Sequence, residues 1–377
     1  MKITKRPFDA HECFRSYSPL RDELIEVGYG GMALTPLYAP AKKREIVPAF
    51  DRSYGEAVWT DHGIVCRVHR AETVNTKPIL PTPPLSKKKG KIQRKDKSPA
   101  TADAPAANPS LWRLPGDSSS LLFRSDKDFR KVKQINELLG PCWLYPAECE
   151  NLVLLIRETD VLRRWPDGLW LCRLDPESLE VLWTREVKNA ENYCVDALGE
   201  QASVIAGGEM YSIALQSGEI MSEGPVHTGR GVKGWVSMVA ISSGYILAGH
   251  TSDFKELVIC HLIPGEKRSR VVFKAAYKEL LSDFPVAAVI GYNNCNDRPN
   301  LSRLVWLPEI SRVVFEVFAG AEPGSGGDEL IKGLFALDPF TGDCLTCMTS
   351  EDYIAGNLLQ VGPNRVLYDS TLITFQI

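Results

Sequence analysis

The sequence predicts an all-β protein that folds as a single β-propeller of six, or possibly seven, four-stranded blades over residues 1–377. Short strand-like runs separated by turn residues recur along the chain, group in fours, and repeat one hairpin pattern. The third runs of four successive groups are centred near Leu171, Tyr211, Ile259 and Phe335, at intervals of 40, 48 and 76 residues. A four-stranded unit of about 40 residues is typical of a propeller blade. The longest interval is attributed to an insertion around Ala276–Asn300.

The repeated hairpin is clearest at Lys332–Thr349, where an apolar run reaches Leu-Asp-Pro, turns at Thr-Gly-Asp and continues as a second run. Proline fixes φ, and glycine takes the positive φ that a tight turn requires. The pattern recurs at Gly168–Val187 and, less closely, at Met210–Met221. This repetition is informative about architecture and says little about chemistry.

Taken in order, the runs predict the following strands. The first blade comprises Ala57–Asp61, Gly63–Arg70, Ser110–Leu114 and Ser119–Arg124. The next four blades comprise Gly140–Ala147, Leu152–Glu158, Gly168–Leu174 and Glu180–Val187; Asn192–Leu198, Ala202–Ala206, Met210–Leu215 and Glu219–Gly224; Trp235–Ile241, Tyr245–Gly249, Glu256–Ile263 and Arg270–Ala276; Leu304–Leu307, Arg312–Phe318, Gly333–Leu337 and Cys344–Thr349. The last blade has Tyr353–Val361, Arg365–Tyr368 and Thr371–Ile377.

The last blade lacks a fourth strand, and we expect an N-terminal strand, Asp22–Val27, to complete it and close the ring. Closure of this kind removes exposed sheet edges. A seventh blade is expected if Met32–Phe50 builds a further unit.

Two helices are predicted between blades. A capping box at Ser125 precedes an apolar helical pattern that ends at Gly140, so residues 125–140 are expected to form a helix. Ala275–Ser282 is a shorter candidate.

Composition excludes several classes of protein. The net charge of −3 and the pI of about 6.1 favour neither nucleic acid nor an anionic membrane as a partner of the whole chain. No run of 18 apolar residues and no secretory signal is present, and most of the ten cysteines lie in apolar runs, which is typical of reduced core residues. We therefore expect a cytoplasmic protein without membrane contact.

The turn pattern resembles the repeat of quinoprotein-type (pyrroloquinoline-quinone-like) propellers, in which a strand, a Leu-Asp-x-x-Thr-Gly turn and a strand with Trp follow one another. Leu337–Gly342 fits this pattern well, and Leu174–Ser178 followed by Trp183 fits it in part. The resemblance implies a propeller, in families that hold dehydrogenases and structural assembly proteins. The Gly249-His250 pair is similar to the Gly-His pair of WD repeats, but the chain has no Trp-Asp dipeptide.

Three long loops are predicted to join second to third strands, and these loops lie on one face of a propeller. They are Glu72–Pro109, Thr159–Asp167 and Gly320–Leu330. Elaborated loops on a rigid scaffold commonly bind partners. The alternative is that surface loops tolerate insertions anywhere.

The largest insert, Thr73–Pro109, begins with a Pro-rich stretch and continues with a basic run. Its composition predicts disorder. The candidate contacts of the basic run are Lys87, Lys88, Lys89, Lys91, Arg94, Lys95 and Lys97. They are suited to nucleic acid or to an acidic partner, or else belong to a solvated linker.

Arg163, Arg164 and Trp165 lie together on the second loop, and Trp and Arg are the residues most enriched in interface hot spots. Trp165 packing back onto a neighbouring blade is the alternative. Asp328 and Glu329 on the third loop are further candidates; the Gly-Gly-Asp-Glu-Leu run that holds them resembles a diguanylate cyclase turn, but its flanks do not suit that fold.

No catalytic, cofactor or metal site is predicted. Cys344 and Cys347 form a single C-x-x-C without a second pair, and the six histidines show no ligand spacing. The sequence therefore favours a non-catalytic propeller that recognises other protein subunits in an assembly. The alternatives are a hydrolase or lyase with a site in the central channel, and nucleic-acid contact through the basic insert.

Overall fold

A computed structural model of the chain describes residues 1–7, 14–28, 31–46, 55–69, 119–125, 132–139, 143–145, 151–158, 168–196, 200–226, 232–251, 255–282, 304–320, 330–352 and 358–376. These residues form seven four-stranded antiparallel sheets, which are the blades of a β-propeller. The prediction of an all-β propeller is confirmed, and of the two blade counts left open, seven is the correct one.

The strands are numbered in chain order. Blade one has β2 (Phe14–Ser18), β3 (Glu23–Gly28), β4 (Gly31–Pro36) and β5 (Arg44–Ile46); blade two has β6 (Gly55–Thr60), β7 (Gly63–His69), β8 (Ser119–Ser125) and β9 (Val132–Leu139); blade three has β10 (Trp143–Leu144), β11 (Val153–Glu158), β12 (Gly168–Leu174) and β13 (Val181–Lys188). Blade four has β14 (Ala190–Asp196), β15 (Gln201–Ala206), β16 (Glu209–Ala214) and β17 (Ile220–Pro225); blade five has β18 (Val232–Ile241), β19 (Gly244–Thr251), β20 (Glu256–Leu262) and β21 (Arg270–Ala276). Blade six has β22 (Val305–Leu307), β23 (Arg312–Gly320), β24 (Leu330–Leu337) and β25 (Cys344–Asp352); blade seven has β26 (Leu358–Gln360), β27 (Arg365–Tyr368), β28 (Thr371–Gln376) and β1 (Lys2–Pro7).

The first strands of neighbouring blades lie beside one another, including β26 of blade seven and β2 of blade one, so the first strands are innermost and the fourth strands form the rim. Middle strands such as β15 and β19 are buried on both faces along most of their length, whereas the fourth strands β17 and β21 are exposed or half-buried. Six apolar clusters among the described residues each take side chains from two neighbouring blades. The core is therefore divided among the blade interfaces.

The repeated hairpin turn has a structural explanation. In blades four and six the same backbone hydrogen bond closes the turn: Gly218 N donates to Ala214 O (2.7 Å), and Gly342 N donates to Asp338 O (2.9 Å). Both glycines have positive φ, and a Cβ on Gly218 would lie 2.7 Å from the Trp183 ring of blade three. In these two blades the turn thus packs on the fourth strand of the preceding blade, since a Cβ on Gly342 would lie 2.6 Å from Val272 O of blade five.

Several sequence predictions for the N-terminal third are wrong. The predicted helix over residues 125–140 is instead β9 (Val132–Leu139), which pairs with β8 as the fourth strand of blade two. The capping pattern was overridden because the edge of β8 takes this segment as its hydrogen-bonding partner. Blade two accordingly uses Ser119–Ser125 as its third strand, and the predicted Ser110–Leu114 strand lies outside the described residues.

The predicted closing segment Asp22–Val27 is also misplaced, because it belongs to β3 inside blade one. The strand that pairs with β28 is β1, in register from Lys2 opposite Gln376 to Pro7 opposite Thr371. An additional blade, β2–β5, precedes blade two and begins earlier than the predicted Met32.

The short helix predicted at Ala275–Ser282 is present as α1 (Tyr277–Leu280). Among the described residues, 3₁₀ turns occur at Pro40–Lys42 and Pro308–Ile310. Within the part of the chain that the structure describes, no helix has both the length and the apolar character needed to cross a bilayer.

Candidate functional site

Exposed apolar side chains are concentrated on the rim of blades three to six. Of the eleven large hydrophobic side chains that are exposed among the described residues, eight lie on the fourth strands or third-to-fourth turns of these blades. Six of them occupy the first two positions of the fourth strands and are 37–53% exposed: Val181 and Leu182, Ile220 and Met221, Val271, and Leu345. We call these six residues the apolar rim.

The apolar rim repeats because each blade places the same position of its fourth strand in solvent. The fourth strand pairs with the third on one side only, so it is the edge of its sheet. In blades four and six the turn before it carries a glycine with positive φ, and a Cβ on that glycine would meet the fourth strand of the preceding blade. Monomeric proteins normally expose such side chains singly, and contiguous groups mark interaction sites.

A cleft opens within the same sector, between blades four and five. Its volume is about 480 Å³, within the range of about 300–1,000 Å³ typical of ligand sites. Its polar lining includes Asp196 and Glu223 of blade four, and its apolar lining includes Ile263, Pro264 and Trp306. The rest of the lining is Gln201 of β15 and residues 240–245 of the β18–β19 hairpin.

A chain of hydroxyl groups holds one carboxylate of the cleft. The Tyr245 hydroxyl donates to Glu223 Oε2 (2.9 Å), and Ser203 Oγ lies 2.9 Å from the Tyr245 oxygen. Burial raises the pKa of Tyr245, and the hydrogen bond to Glu223 raises it further, so the phenol stays protonated and acts as a donor. Glu223 is therefore fixed at the cleft wall as an acceptor.

A third feature lies at the interface of blades seven and one. The guanidinium carbons of Arg6 and Arg365, both from blade seven, lie 5.0 Å and 5.2 Å from the centre of the exposed Tyr38 ring of blade one. Arg6 also donates to the Leu37 carbonyl (2.5 Å). These cation–π contacts link the last blade to the first.

A buried ion pair lies between blades six and seven. Lys332, which is almost fully buried, donates to Asp369 Oδ2 (2.7 Å), and its ammonium group lies 5.7 Å from the centre of the Tyr368 ring. The Tyr368 hydroxyl donates to Glu316 (2.6 Å). We assign this cluster to the packing of the two blades.

The contact residues predicted from sequence lie outside the described residues. They are Lys87, Lys88, Lys89, Lys91, Arg94, Lys95, Arg163, Arg164, Trp165, Asp328 and Glu329. The strand order does place their segments between second and third strands, in blades two, three and six. The described strands from which these segments leave, β7, β11 and β23, end at the opposite end of their blades from the third-to-fourth turns.

Cys344 and Cys347 pack into clusters on opposite faces of blade six, and burial raises the pKa of both thiols to about 12. No group of three or more His, Cys, Asp or Glu side chains in the described ranges is placed to hold a metal ion.

The described first strands, which line the centre of the ring, carry no histidine and only three carboxylates: Glu56, Glu191 and Asp196. Glu56 is bound by Arg67 and accepts a hydrogen bond from Leu144 N (3.3 Å). The converging acids and histidines that a channel enzyme needs are not found in these strands as described.

Sequence reasoning missed the apolar rim, although a signal for it exists. In each of blades three to six an apolar residue follows directly after a polar turn, at a strand position that was read only as part of the repeat. The cleft gives no linear signal, because its walls come from three blades.

Comparisons with known proteins find distant structural similarity. No family model and no curated sequence matches the chain. Among solved structures, the chain is similar to the AfRom2 CNH domain (8% identity, TM-score 0.48, covering 99% of both chains) and to a chain of the mitotic checkpoint complex (6% identity, TM-score 0.47, covering 98% of this chain and 89% of the other). It is also similar to the WD40 domain of SCAP from fission yeast (6% identity, TM-score 0.41, covering 98% and 84%). At these scores the similarities carry no argument about function.

Proposed function

We propose that this chain is a non-catalytic propeller that recognises a partner protein within an assembly, and that the partner docks on the apolar rim of blades three to six. The observation that carries the proposal is the recurrence of half-exposed aliphatic side chains at one strand position in four consecutive blades. Covering such side chains removes apolar surface from water, which is the main favourable term in protein association.

The rim is suited to docking because it is pre-organised. The fourth strands are held by pairing to their neighbours and by the turns of the following blades, as in the hydrogen bond from Trp183 Nε1 to Leu215 O (3.0 Å). A rigid surface loses little conformational entropy when a partner binds. The cleft is lined by none of the six rim residues, but it adds a concave surface in the same sector, and binding energy commonly concentrates in pockets.

The finer predictions from the sequence stand as further proposals. They are docking through the loops that carry Arg163, Arg164 and Trp165, nucleic-acid contact through the basic run, a cytoplasmic location, and a quinoprotein-type relationship at the level of the repeat. Docking on the apolar rim and docking on these loops would place the partner at different ends of the blades.

The test compares three tagged proteins in pull-downs from the native host, with captured proteins quantified. One variant combines Met221→Ser, Val271→Ser and Leu345→Ser, and the matched control is Leu20→Ser in blade one, which is 81% exposed. We expect at least one partner to be retained by the wild type and the control and reduced by about tenfold or more in the triple variant, since about 1.4 kcal/mol corresponds to tenfold in affinity. Equal recovery in all three proteins, or no specific capture by any of them, would contradict the proposal.

A further inference from the structure

We propose that the cleft between blades four and five takes the side chain of an arginine from the docked partner. This inference deepens the proposed function and rests on it, because the arginine belongs to the segment that covers the apolar rim. It assigns the cleft a ligand class: a guanidinium group on an aliphatic stem.

The charge of the cleft favours a cation. Asp196 and Glu223 line it, and no Lys, Arg or His is among the described residues that do so. The adjacent turn after Pro264 carries Glu266, Lys267 and Arg268, all exposed, so it has a net charge of +1 that solvent screens. The negative charge inside the cleft is less screened, because its walls exclude part of the water.

Glu223 is positioned to accept from a guanidinium. Its Oε2 is fixed by the Tyr245 hydroxyl at 2.9 Å, while no described residue forms a hydrogen bond with Oε1. Because Ser203 in turn holds Tyr245, the carboxylate is oriented before a ligand arrives. Charge-assisted hydrogen bonds between guanidinium and carboxylate are about twice as strong as neutral ones, and orientation in advance lowers the entropic cost.

The rest of the lining suits the stem and the flat face of the same group. Ile263 and Pro264 offer apolar surface for methylene groups, and Trp306 offers an aromatic ring. Long basic side chains bury their stems along apolar surface, and guanidinium groups stack on indole rings. Carboxylates together with aromatic and aliphatic walls therefore match arginine better than a small inorganic cation, which would need a converging oxygen set.

The experiment uses the full chain and two fluorescein-labelled peptides that differ at one position. Both are short and neutral apart from that position, which holds arginine in one and citrulline, its uncharged isostere, in the other. Fluorescence anisotropy is recorded at about 0.05 M and about 1 M salt. We expect the arginine peptide to bind about tenfold more tightly at low salt, which corresponds to about 1.4 kcal/mol, and this advantage to shrink at high salt.

Variants locate the effect in the cleft. Glu223→Gln keeps the shape but removes the charge, and we expect it to abolish most of the arginine advantage; Asp196→Asn provides an independent reduction if Glu223→Gln does not fold. Glu180→Gln, an exposed carboxylate in a turn of blade three, is the matched control and is expected to keep the advantage.

Equal affinity for the two peptides, an arginine advantage that survives both cleft variants, or no binding of the arginine peptide would each overturn the inference. These outcomes are distinct from failure of the proposed function. If the triple rim variant loses its partner while arginine and citrulline peptides behave alike, docking on the rim stands and the assignment of the cleft falls.

Discussion

Substitution of Gly342 by alanine tests whether the contact between the repeated turn and the preceding blade contributes to the stability of the propeller. In the turn of blade six, Gly342 has a φ of +85°, and a Cβ built on it would lie 2.6 Å from the Val272 carbonyl oxygen of blade five. Ordinary contact begins near 3.4 Å, and the obstacle is backbone rather than a flexible side chain. The turn or the fourth strand of blade five must therefore move.

A matched control separates this clash from backbone strain. Gly208 in blade four has a φ of +82°, and a Cβ there would meet nothing within 4 Å. A left-handed conformation costs an alanine about 1 kcal/mol, which both variants share. Overpacking adds about 1–3 kcal/mol at Gly342 alone, so we expect Gly342→Ala to lose about 3 kcal/mol of unfolding free energy and Gly208→Ala about 1 kcal/mol.

The assay is equilibrium urea unfolding followed by tryptophan fluorescence, for which the chain carries eight tryptophans. The variants are compared by midpoint and slope, because a change in slope would signal independent unfolding of blades. Equal losses in the two variants would refute the docking role of the turn. A loss at Gly208 larger than at Gly342 would refute it more strongly.

Three other predictions concern single side chains at or near blade interfaces. Asp369→Asn removes the charge opposite buried Lys332, and we expect it to lose about 3 kcal/mol of unfolding free energy in urea titrations; no loss would show that the ion pair contributes nothing. Tyr38→Ala removes the ring between the two guanidinium groups of blade seven and is expected to cost about 1–2 kcal/mol, whereas Tyr38→Phe should match the wild type. Burial lowers the pKa of His250 to about 4, because the buried imidazole is held neutral. The free energy of unfolding is therefore unaffected by His250 above pH about 6.5 and falls by about 3 kcal/mol as the pH drops to about 4, since the unfolded chain takes up the proton first. Thermal melts between these pH values should show this loss of stability, and the loss should be smaller in His250→Gln. The same pH dependence in the variant and the wild type would contradict a neutral, buried His250.

The sequence predicted the strands of blades three to six to within a few residues because turn chemistry marks their hairpins. Leu337–Gly342 and Ser217–Gly218 fix where strands end, and the apolar runs between such turns leave little choice of register. The same signals could not show that the turn glycines contact the preceding blade. That contact joins residues such as Gly218 and Trp183, which belong to different blades and are not neighbours in the sequence.

The N-terminal third was less predictable because its strands carry weaker local signals. Val132–Leu139 has the spacing of an amphipathic helix, yet it is a strand because β8 offers it an edge. Lys2–Pro7 is a polar run with no strand signal of its own, and only its pairing with β28 makes it the fourth strand of blade seven. Local preference decides an element only where tertiary pairing does not compete.

The candidate site was the least predictable part. The sequence drew attention to long second-to-third connections such as the one carrying Trp165, because their composition is unusual. Val271 and Leu345 look like ordinary strand residues, and their exposure follows only from the position of the fourth strand at the rim. The sequence alone could not predict this exposed surface, because it depends on how the blades are arranged in the ring.

Hydrogen–deuterium exchange on a complex with a captured partner tests the central claim most directly. The account predicts that protection on binding falls on the starts of the fourth strands of blades three to six, around residues 181–182, 220–221, 271 and 345. Protection confined to residues 70–118, 159–167 and 321–329 would contradict it, and would place the partner on the second-to-third connections instead.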